Sequence, residues 1–340
     1  MKPESKTDVF EQSRPRLMGL AYRLLGSVSD AQDIVQDTYL KWISYSGPEI
    51  ENPVGWLSRV CTNRCLDQLK SASHQRLDYV GSWIPDQIQT KFESNAEEQL
   101  EIASSLTTAF LLLLERLTPK ERAAYLLHDV FSMPFDEVAS VLDMQPANCR
   151  KLATRARNYV AKNNVRHVPE KQHQEKLLEA FQQAIRTGDV DGLGTMLRAD
   201  SDLRADSGGK VQAVRDVIVG HDAICRFIED ILSHAWRDMT ITTHLLNGTL
   251  GLVIVDEGKT HAALSFGYDT EGQISQIYIM RHPGKLKQMI STKGILSISG
   301  AICSDSNEKM DARSVSVIYK YCSPFKILGM SSRERMSNLI

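Results

Sequence analysis

The sequence has no apolar run long enough to cross a membrane. Its longest purely apolar stretch is the six residues AFLLLL at 109–114, whereas a transmembrane helix needs roughly 20. The first ten residues, MKPESKTDVF, also lack the apolar core of a secretory signal peptide. We therefore expect a soluble protein of the cytoplasm.

Cysteine is scarce and forms no recognisable pattern. Cys61 and Cys65 are four residues apart, which is a helical spacing, and the remaining cysteines stand alone. These are Cys149, Cys225, Cys303 and Cys322. Such spacing matches neither a disulfide framework nor a metal-binding motif. We expect reduced and mostly buried thiols, as in cytosolic proteins, and no metal ion or other cofactor.

An excess of charge of either sign is also missing. The 340 residues include 40 Lys and Arg against 42 Asp and Glu, a formal net charge of −2. A polyanion such as DNA can therefore bind only at a local basic patch, not over the whole surface. The hydrophobic content of 42% is ordinary for a globular protein. The length favours two or three domains.

Two helical segments occupy the first half of the chain, at about 8–75 and 97–165. Apolar residues recur there at helical spacing. Ser29 and Gln32 have the spacing of a capping box, which predicts a helix start at Ser29. Asn52 before Pro53 predicts a second start, and Thr118 with Glu121 a third.

The segment between them, 76–96, has no sustained periodicity and contains Gly81 and Pro85, as expected for a linker. The linker also contains three large side chains, Tyr79, Trp83 and Ile84, which are costly to expose to solvent. We therefore expect it to pack against another part of the protein. Residues 172–286 then change to helices followed by four β-rich runs near 239–246, 250–255, 260–268 and 273–281, which predicts an α+β domain with an antiparallel sheet. Residues 287–340 carry no motif that assigns them a role.

A basic stretch without acids lies between Asp143 and Glu170. A short helix is predicted before it, and after a turn of about three residues a second helix buries one apolar face, so the pair is a candidate helix-turn-helix. A recognition helix needs arginines for guanine edges and phosphates, and no carboxylates. The alternative is an ordinary solvated basic face. The candidate contacts are Ala147, Asn148, Arg150, Lys151, Thr154, Arg155 and Arg157.

These motifs resemble those of a known family. LTPKERAAYLLHDVFSMPFDEVASVLDMQPANCRKLATRARNYV is similar to region 4 of an extracytoplasmic-function (ECF) sigma factor. YRLLGSVSDAQDIVQDTYLKW followed by NPVGWLSRVCTNRCLDQLKS resembles region 2. The sequences YVGSWIPDQ, DSGGK and NGTLG resemble marks of the subgroup that carries a fused SnoaL-like C-terminal domain. Ile84-Pro85-Asp86 is a mild variant of that subgroup's linker, and Ser207 and Asp143 stand where glycine is common.

The resemblance implies two all-α modules followed by a SnoaL-like cone similar to ketosteroid isomerase. It also implies a non-enzymatic protein that brings core RNA polymerase, through its β′ and β subunits, to promoter DNA. Region 4 corresponds to the reader of the −35 element. In region 2 the implied −10 readers are Trp56, Arg59, Asn63, Arg64 and Lys70. The implied polymerase-binding face comprises Asp30, Asp33, Gln36, Asp37 and Leu40, although a solvated acidic face is the alternative.

For the C-terminal domain the resemblance implies intramolecular regulation, with no separate anti-sigma factor. The implied interface joins Trp83, Ile84 and Pro85 of the linker to Asp206, Gly208, Gly209 and Lys210, supported by Asn247, Gly248 and Gly251. Relatives of the cone use an Asp or His as a general base. The residues of that type here, with no diagnostic spacing, are Asp202, Asp206, His221, His234, His244 and His261. Two alternatives remain, a ligand-sensing helix-turn-helix activator that uses the cone as a pocket and a SnoaL-type enzyme.

Overall fold

A computed structural model describes residues 5–77, 79–89, 104–163 and 167–291. The expectations for 292–340, including Cys303 and Cys322, and for linker residues 90–96 lie outside the described residues. Within the described ranges, no helix is long and apolar enough to cross a bilayer. The described cysteines are buried free thiols.

Three helices form the first module: α1 (Lys6–Leu25), α2 (Val28–Ser44) and α3 (Pro53–Leu77). Helix α1 ends at Gly26, which adopts the left-handed conformation with φ 69°. Helix α2 is capped by Ser27, whose hydroxyl accepts a hydrogen bond from the Asp30 N–H. The prediction that Ser29 begins this helix is wrong, because Ser29 already lies in the first turn.

The second module contains α4 (Thr108–Leu114), α5 (Pro119–Tyr125), a π-helical turn (Leu126–Val130), α6 (Phe135–Leu142) and α7 (Pro146–Lys162). The capping box of Thr118 and Glu121 is present. Three residues separate α6 from α7, and the first of them, Asp143, is left-handed with φ 53°. Aspartate tolerates this conformation better than most residues, so the helix-turn-helix forms without a glycine.

The two helical modules share one hydrophobic core. Helix α3 of the first module packs against α5 and α6 of the second. The buried Arg122 of α5 donates a hydrogen bond to the Leu24 carbonyl of α1 at 2.6 Å. The helix-turn-helix is therefore seated directly on the helix predicted to read the −10 element.

The C-terminal domain is a mixed sheet covered by helices, which confirms the α+β prediction. Its helices are α8 (Lys171–Thr187), α9 (Asp191–Gly194), α10 (His221–Phe227), α11 (Ser233–Trp236) and α12 (Pro283–Ser291). Its strands are β1 (Leu197–Asp206), β2 (Ile218–Val219), β3 (Thr240–Leu246), β4 (Thr249–Asp256), β5 (Lys259–Tyr268) and β6 (Ile274–Met280).

The sheet order is β2-β1-β6-β5-β4-β3. The four predicted strands pair antiparallel, but β1 lies parallel to β6, so the expectation of a purely antiparallel sheet is wrong. One face of the sheet forms the domain core with residues such as Phe181, Trp236 and Phe266. The other face packs against Ile84 of the linker and Ala109 of α4. This second face is what joins the domain to the rest of the chain.

Candidate nucleic-acid and interdomain interfaces

The basic face of α7 points away from the core. Cys149, Leu152, Ala153, Ala156 and Val160 are buried. Every candidate −35 contact on the opposite side is exposed, namely Ala147, Asn148, Arg150, Lys151, Thr154, Arg155 and Arg157.

Three arginines of this face already contact neighbouring elements. The Arg150 guanidinium lies 5.5 Å from the centre of the Phe135 ring. Arg155 Nε is 3.2 Å from Glu121 Oε1, and Arg157 Nε donates to Asp129 Oδ1 at 2.6 Å. The basic stretch has no acid of its own, but α5 and the π-helical turn supply acids to it.

Helix α3 places the candidate −10 residues along one side. Arg59, Asn63 and Lys70 are exposed. Trp56 is half-buried between aromatic rings, with its ring centre 5.5 Å from Trp42 and 5.4 Å from Tyr45.

Arg64 is also half-buried, and its Nε atom has no hydrogen-bond partner among the described residues. Lys70 is paired at 3.0 Å with the exposed Asp67. Arg59 and Asn63 are therefore the most open members of the −10 set.

The candidate polymerase face on α2 is acidic with an apolar centre. Asp33, Gln36 and Asp37 are exposed, and Asp30 is half-buried. Leu40 exposes 56% of its surface. An exposed leucine among carboxylates suits a docking surface better than a purely solvated face.

Asp206 binds the linker to the sheet. Its carboxylate is fully buried and accepts hydrogen bonds from Tyr79 Oη at 2.6 Å and from the Ile84 N–H at 2.9 Å. Lys285 Nζ of α12 lies 2.9 Å from the same carboxylate and also donates to the Ile84 carbonyl. All three partners are donors, so they satisfy a carboxylate that would otherwise be costly to bury.

Asn247 is the second connection between the linker and the sheet. It is fully buried in the β3–β4 turn with φ 47°. Its Oδ1 accepts from the Ile88 N–H at 2.9 Å, and its own N–H donates to the Ile88 carbonyl at 2.9 Å. The side chain also contacts Tyr22 Oη of α1 at 3.3 Å and Thr108 Oγ1 of α4 at 3.4 Å. One asparagine therefore touches the linker and both helical modules.

The linker also contacts α2, the helix that carries the candidate polymerase-binding face. Asp86 Oδ2 accepts from the Val28 N–H at the start of α2 at 2.8 Å, and the Asp86 N–H donates to the Gly26 carbonyl at 2.9 Å. Burial raises the pKa of Asp86, while nearby Lys285 and the Val28 hydrogen bond oppose that rise. Trp83 lies so close to Gly26 that an added Cβ would be 2.6 Å from its ring.

The glycine pair of DSGGK lies against the beginning of the linker. An added Cβ on Gly208 would meet His282 and Tyr79, and one on Gly209 would meet Val80. Trp83 is not among these nearest neighbours. The Lys210 side chain is exposed. Gly251 packs closely on the Leu264 carbonyl, and Gly248 completes the turn with φ 82°.

Sequence reasoning missed Lys285, Asp86 and Tyr22. Lys285 lies 4.6 Å from the Trp83 ring centre and 3.9 Å from Asp86 Oδ1. A single lysine on a short helix gives no sequence signal until the fold brings it to the linker. Asp86 was visible as part of the linker motif, but its capping of α2 depends on a contact 58 residues away in sequence.

The candidate general bases do not form one cluster. Asp206 binds the linker, and Asp202 pairs with Arg204 at 2.7 Å. The histidines lie on different elements: His221 in α10, His234 in α11, His244 in β3 and His261 in β5. Among the described residues, no group of three or more His, Cys, Asp or Glu side chains could hold a metal ion.

Comparison with known proteins decides the family. The chain matches the models of sigma-70 region 2 over residues 9–75 and sigma-70 region 4 over residues 107–159. It is 36% identical over 247 residues to the ECF RNA polymerase sigma factor SigJ of Mycobacterium tuberculosis, spanning 71% of this chain and 78% of that protein. The chain belongs to the ECF sigma factors.

Further relatives agree with this sigma-factor assignment. A probable ECF sigma factor SigI of Mycobacterium tuberculosis is 30% identical over 285 residues, spanning 83% of this chain and 94% of that protein. The crystal structure of SigJ superposes with a TM-score of 0.63 at 30% identity and covers 82% of this chain and 97% of that chain. Like other sigma factors, the protein directs transcription initiation at promoters together with RNA polymerase, and it is of the SigJ type.

Proposed function

We propose that this sigma factor reads the −10 element with α3 and the −35 element with α7, and docks on polymerase through α2. Three observations support these roles. The basic side of α7 is exposed, Arg59 and Asn63 of α3 are open, and Leu40 of α2 stands among exposed acids. Phosphate contacts would supply most of the affinity and base-edge contacts the sequence preference.

We further propose that the fold described here is a closed state that cannot engage both promoter elements. Helices α3 and α7 both pack against α6, and packed helices lie about 8–10 Å apart. The axes of α3 and α7 are therefore within roughly 20 Å of each other. The −10 and −35 elements are about 25 base pairs apart, or roughly 85 Å along B-DNA. The two modules must separate before one promoter can hold both.

The C-terminal domain acts, in this proposal, as the latch that keeps the modules together. The main support for this proposal is the set of contacts made by Asn247. It hydrogen-bonds the linker and also contacts Tyr22 of the first module and Thr108 of the second. Asp206 adds a second, independent attachment of the linker. Regulation of this kind works by contact, not catalysis, and it requires no separate anti-sigma factor.

Transcription by core RNA polymerase supplied with the purified full chain tests this function. The Asn247→Gly variant keeps a turn residue that adopts positive φ freely but removes the side-chain bonds and leaves the buried Ile88 N–H without its partner, at a cost of about 1–3 kcal/mol. We expect initiation at the same start sites as the native chain, with a higher yield. Unchanged yield would contradict the latch, and no defined start site with either chain would contradict the promoter-reading roles.

A further inference from the structure

Two arginines of the recognition helix are held from the side by acids of neighbouring elements. Arg157 donates through Nε to Asp129 Oδ1 at 2.6 Å, and Arg155 Nε lies 3.2 Å from Glu121 Oε1. In each pair the arginine side chain is open to solvent, with 47% of Arg157 and 66% of Arg155 exposed. The acid is mostly covered, at 14% and 15%.

The geometry leaves the outer nitrogens of both guanidinium groups available. Each ion pair uses Nε, the nitrogen nearest the helix, and no hydrogen bond joins the Nη atoms of Arg155 or Arg157 to the described part of the chain. The Nη groups carry four of the five N–H donors of an arginine. They are the atoms that reach phosphate oxygens and guanine edges.

Glu121 is fixed by a contact that does not involve Arg155, and Asp129 is placed by its position in the π-helical turn. Glu121 is the capping-box residue of α5, and its other oxygen accepts from the Thr118 hydroxyl at 2.7 Å. Asp129 belongs to the π-helical turn, where the Phe131 N–H bonds the Leu126 carbonyl at 2.9 Å. The second oxygen of Asp129 is buried without a partner among the described residues. The hydrogen bond that the Asp129 carboxylate accepts from the described residues is therefore the one from Arg157 to Oδ1.

We propose that Asp129 and Glu121 are positioning residues, which hold Arg157 and Arg155 in the orientation that binds DNA. This inference rests on the proposed role of α7 as the −35 reader. An arginine loses rotamer freedom when it is ordered on DNA. A carboxylate that has already fixed the side chain reduces this loss. The same carboxylate also brings negative charge towards the DNA backbone, so the two effects have opposite signs.

Because orientation of the arginine strengthens DNA binding and the added negative charge weakens it, the Asp129→Asn variant can distinguish the two effects. Removal of a negative charge near DNA by itself tightens binding. A weaker complex can therefore arise only from lost orientation of Arg157 or from damage to the motif. We expect Asp129→Asn holoenzyme to bind a promoter duplex on which the native chain initiates transcription three- to tenfold more weakly than the native holoenzyme does. Asp136→Asn, at an exposed acid of α6, is the matched charge control and should bind equally or more tightly.

The Arg157→Ala background separates positioning from a structural role. If Asp129 acts through Arg157, adding Asp129→Asn to Arg157→Ala should produce no further loss of DNA affinity. A comparable loss in both backgrounds would mean that Asp129 only supports the fold, and tighter binding of the single variant would mean that it only competes with DNA. Either outcome overturns the proposal.

Arg150→Ala distinguishes failure of this proposal from failure of the −35 assignment. Weaker binding by Arg150→Ala with no loss for Asp129→Asn rejects the positioning role alone. Unchanged binding by Arg150→Ala, Arg157→Ala and Asp129→Asn together rejects α7 as the −35 reader.

Discussion

Arg150 is a candidate DNA contact whose side chain is supported by a neighbouring aromatic ring. It is exposed, and its guanidinium lies over the half-buried Phe135 ring. This contact leaves the edge of the guanidinium, where its donors lie, available for a base or phosphate.

The Arg150→Ala variant should bind −35 DNA more weakly by about 1–3 kcal/mol, because a good base contact has that magnitude. Binding of the holoenzyme to promoter duplexes with native and altered −35 elements measures this. Lys162→Ala, at the end of α7, is the control and should weaken binding to all sequences slightly and in a salt-dependent way. Equal loss on native and altered −35 elements for Arg150→Ala would show that Arg150 contacts only the backbone.

At the residue scale, the sequence predicted the basic face of α7 but not the acidic residues that pair with its arginines. The spacing of Cys149, Leu152 and Ala156 is enough to orient the helix, since each contact is local. Glu121 and Asp129 precede this face in the chain, and they reach it only after α5 and α7 have packed together. The same limit explains why Lys285 was missed.

Several helices contact the linker through their ends. Helix α1 ends at Gly26, and the Val28 N–H that begins α2 donates to Asp86 of the linker. His282 directly precedes α12, and its Nδ1 accepts from the Lys285 N–H at 3.3 Å. Each of these termini contacts the linker or the lysine that binds it. A change at a helix end should therefore alter the attachment of the linker.

Gly26→Ala tests the contact between α1 and the linker. The added Cβ would lie 2.6 Å from the Trp83 ring in a left-handed residue with φ 69°. We expect the linker to detach more readily by about 1–3 kcal/mol, the scale of overpacking, with faster hydrogen exchange at residues 79–89. Gly258→Ala is the matched control, because it has φ 78° but nothing within 4 Å of its added Cβ. Equal exchange at residues 79–89 in the two variants would show that the contact between Gly26 and Trp83 does not hold the linker.

We expect His282 to make the attachment of the linker dependent on pH. Burial lowers its pKa below the usual 6.5, Lys210 and Lys285 lower it further, and Asp206 opposes them. A histidine with a lowered pKa in the folded state contributes stability that is present above its ordinary pKa and is lost as the pH falls through the lowered value. Protonation would also remove the acceptor that caps α12 and place a cation at that helix start.

We therefore expect hydrogen exchange at residues 79–89 to accelerate on acidification from pH 7.5 to 5.5, after correction for intrinsic rates. His282→Asn retains a capping acceptor but does not titrate, so it should remove most of this dependence. An equally steep dependence in His282→Asn would assign the effect to another group.

Among elements, most local signals were predicted correctly, with the start of α2 at Ser29 as an exception, and distant pairings were not predicted. The capping box of Thr118 and Glu121, the Asn52 cap and the three-residue turn before Pro146 involve residues a few positions apart. The parallel pairing of β1 with β6 depends on where the intervening helices return the chain. Sequence periodicity carries no information on that return path.

The whole molecule combines two helical sigma-factor modules and a C-terminal domain that, in our proposal, holds them together. The sequence indicated the modules and the α+β domain, because each has its own periodicity and motifs. It did not indicate that α3 rests on α6, since the surface between them reads as an ordinary amphipathic helix face. That contact is the basis for interpreting the fold as a closed state.

The distance between the two modules tests the closed state most directly. Fluorescence energy transfer between labels at Glu49 and Ser140, both exposed, can be measured in the free chain and in its complex with core polymerase and promoter DNA. The closed state predicts high transfer in the free chain, lower transfer in the free Asn247→Gly variant, and a marked fall in the promoter complex. Low transfer in the free native chain, or high transfer maintained in a complex that initiates transcription, would contradict it.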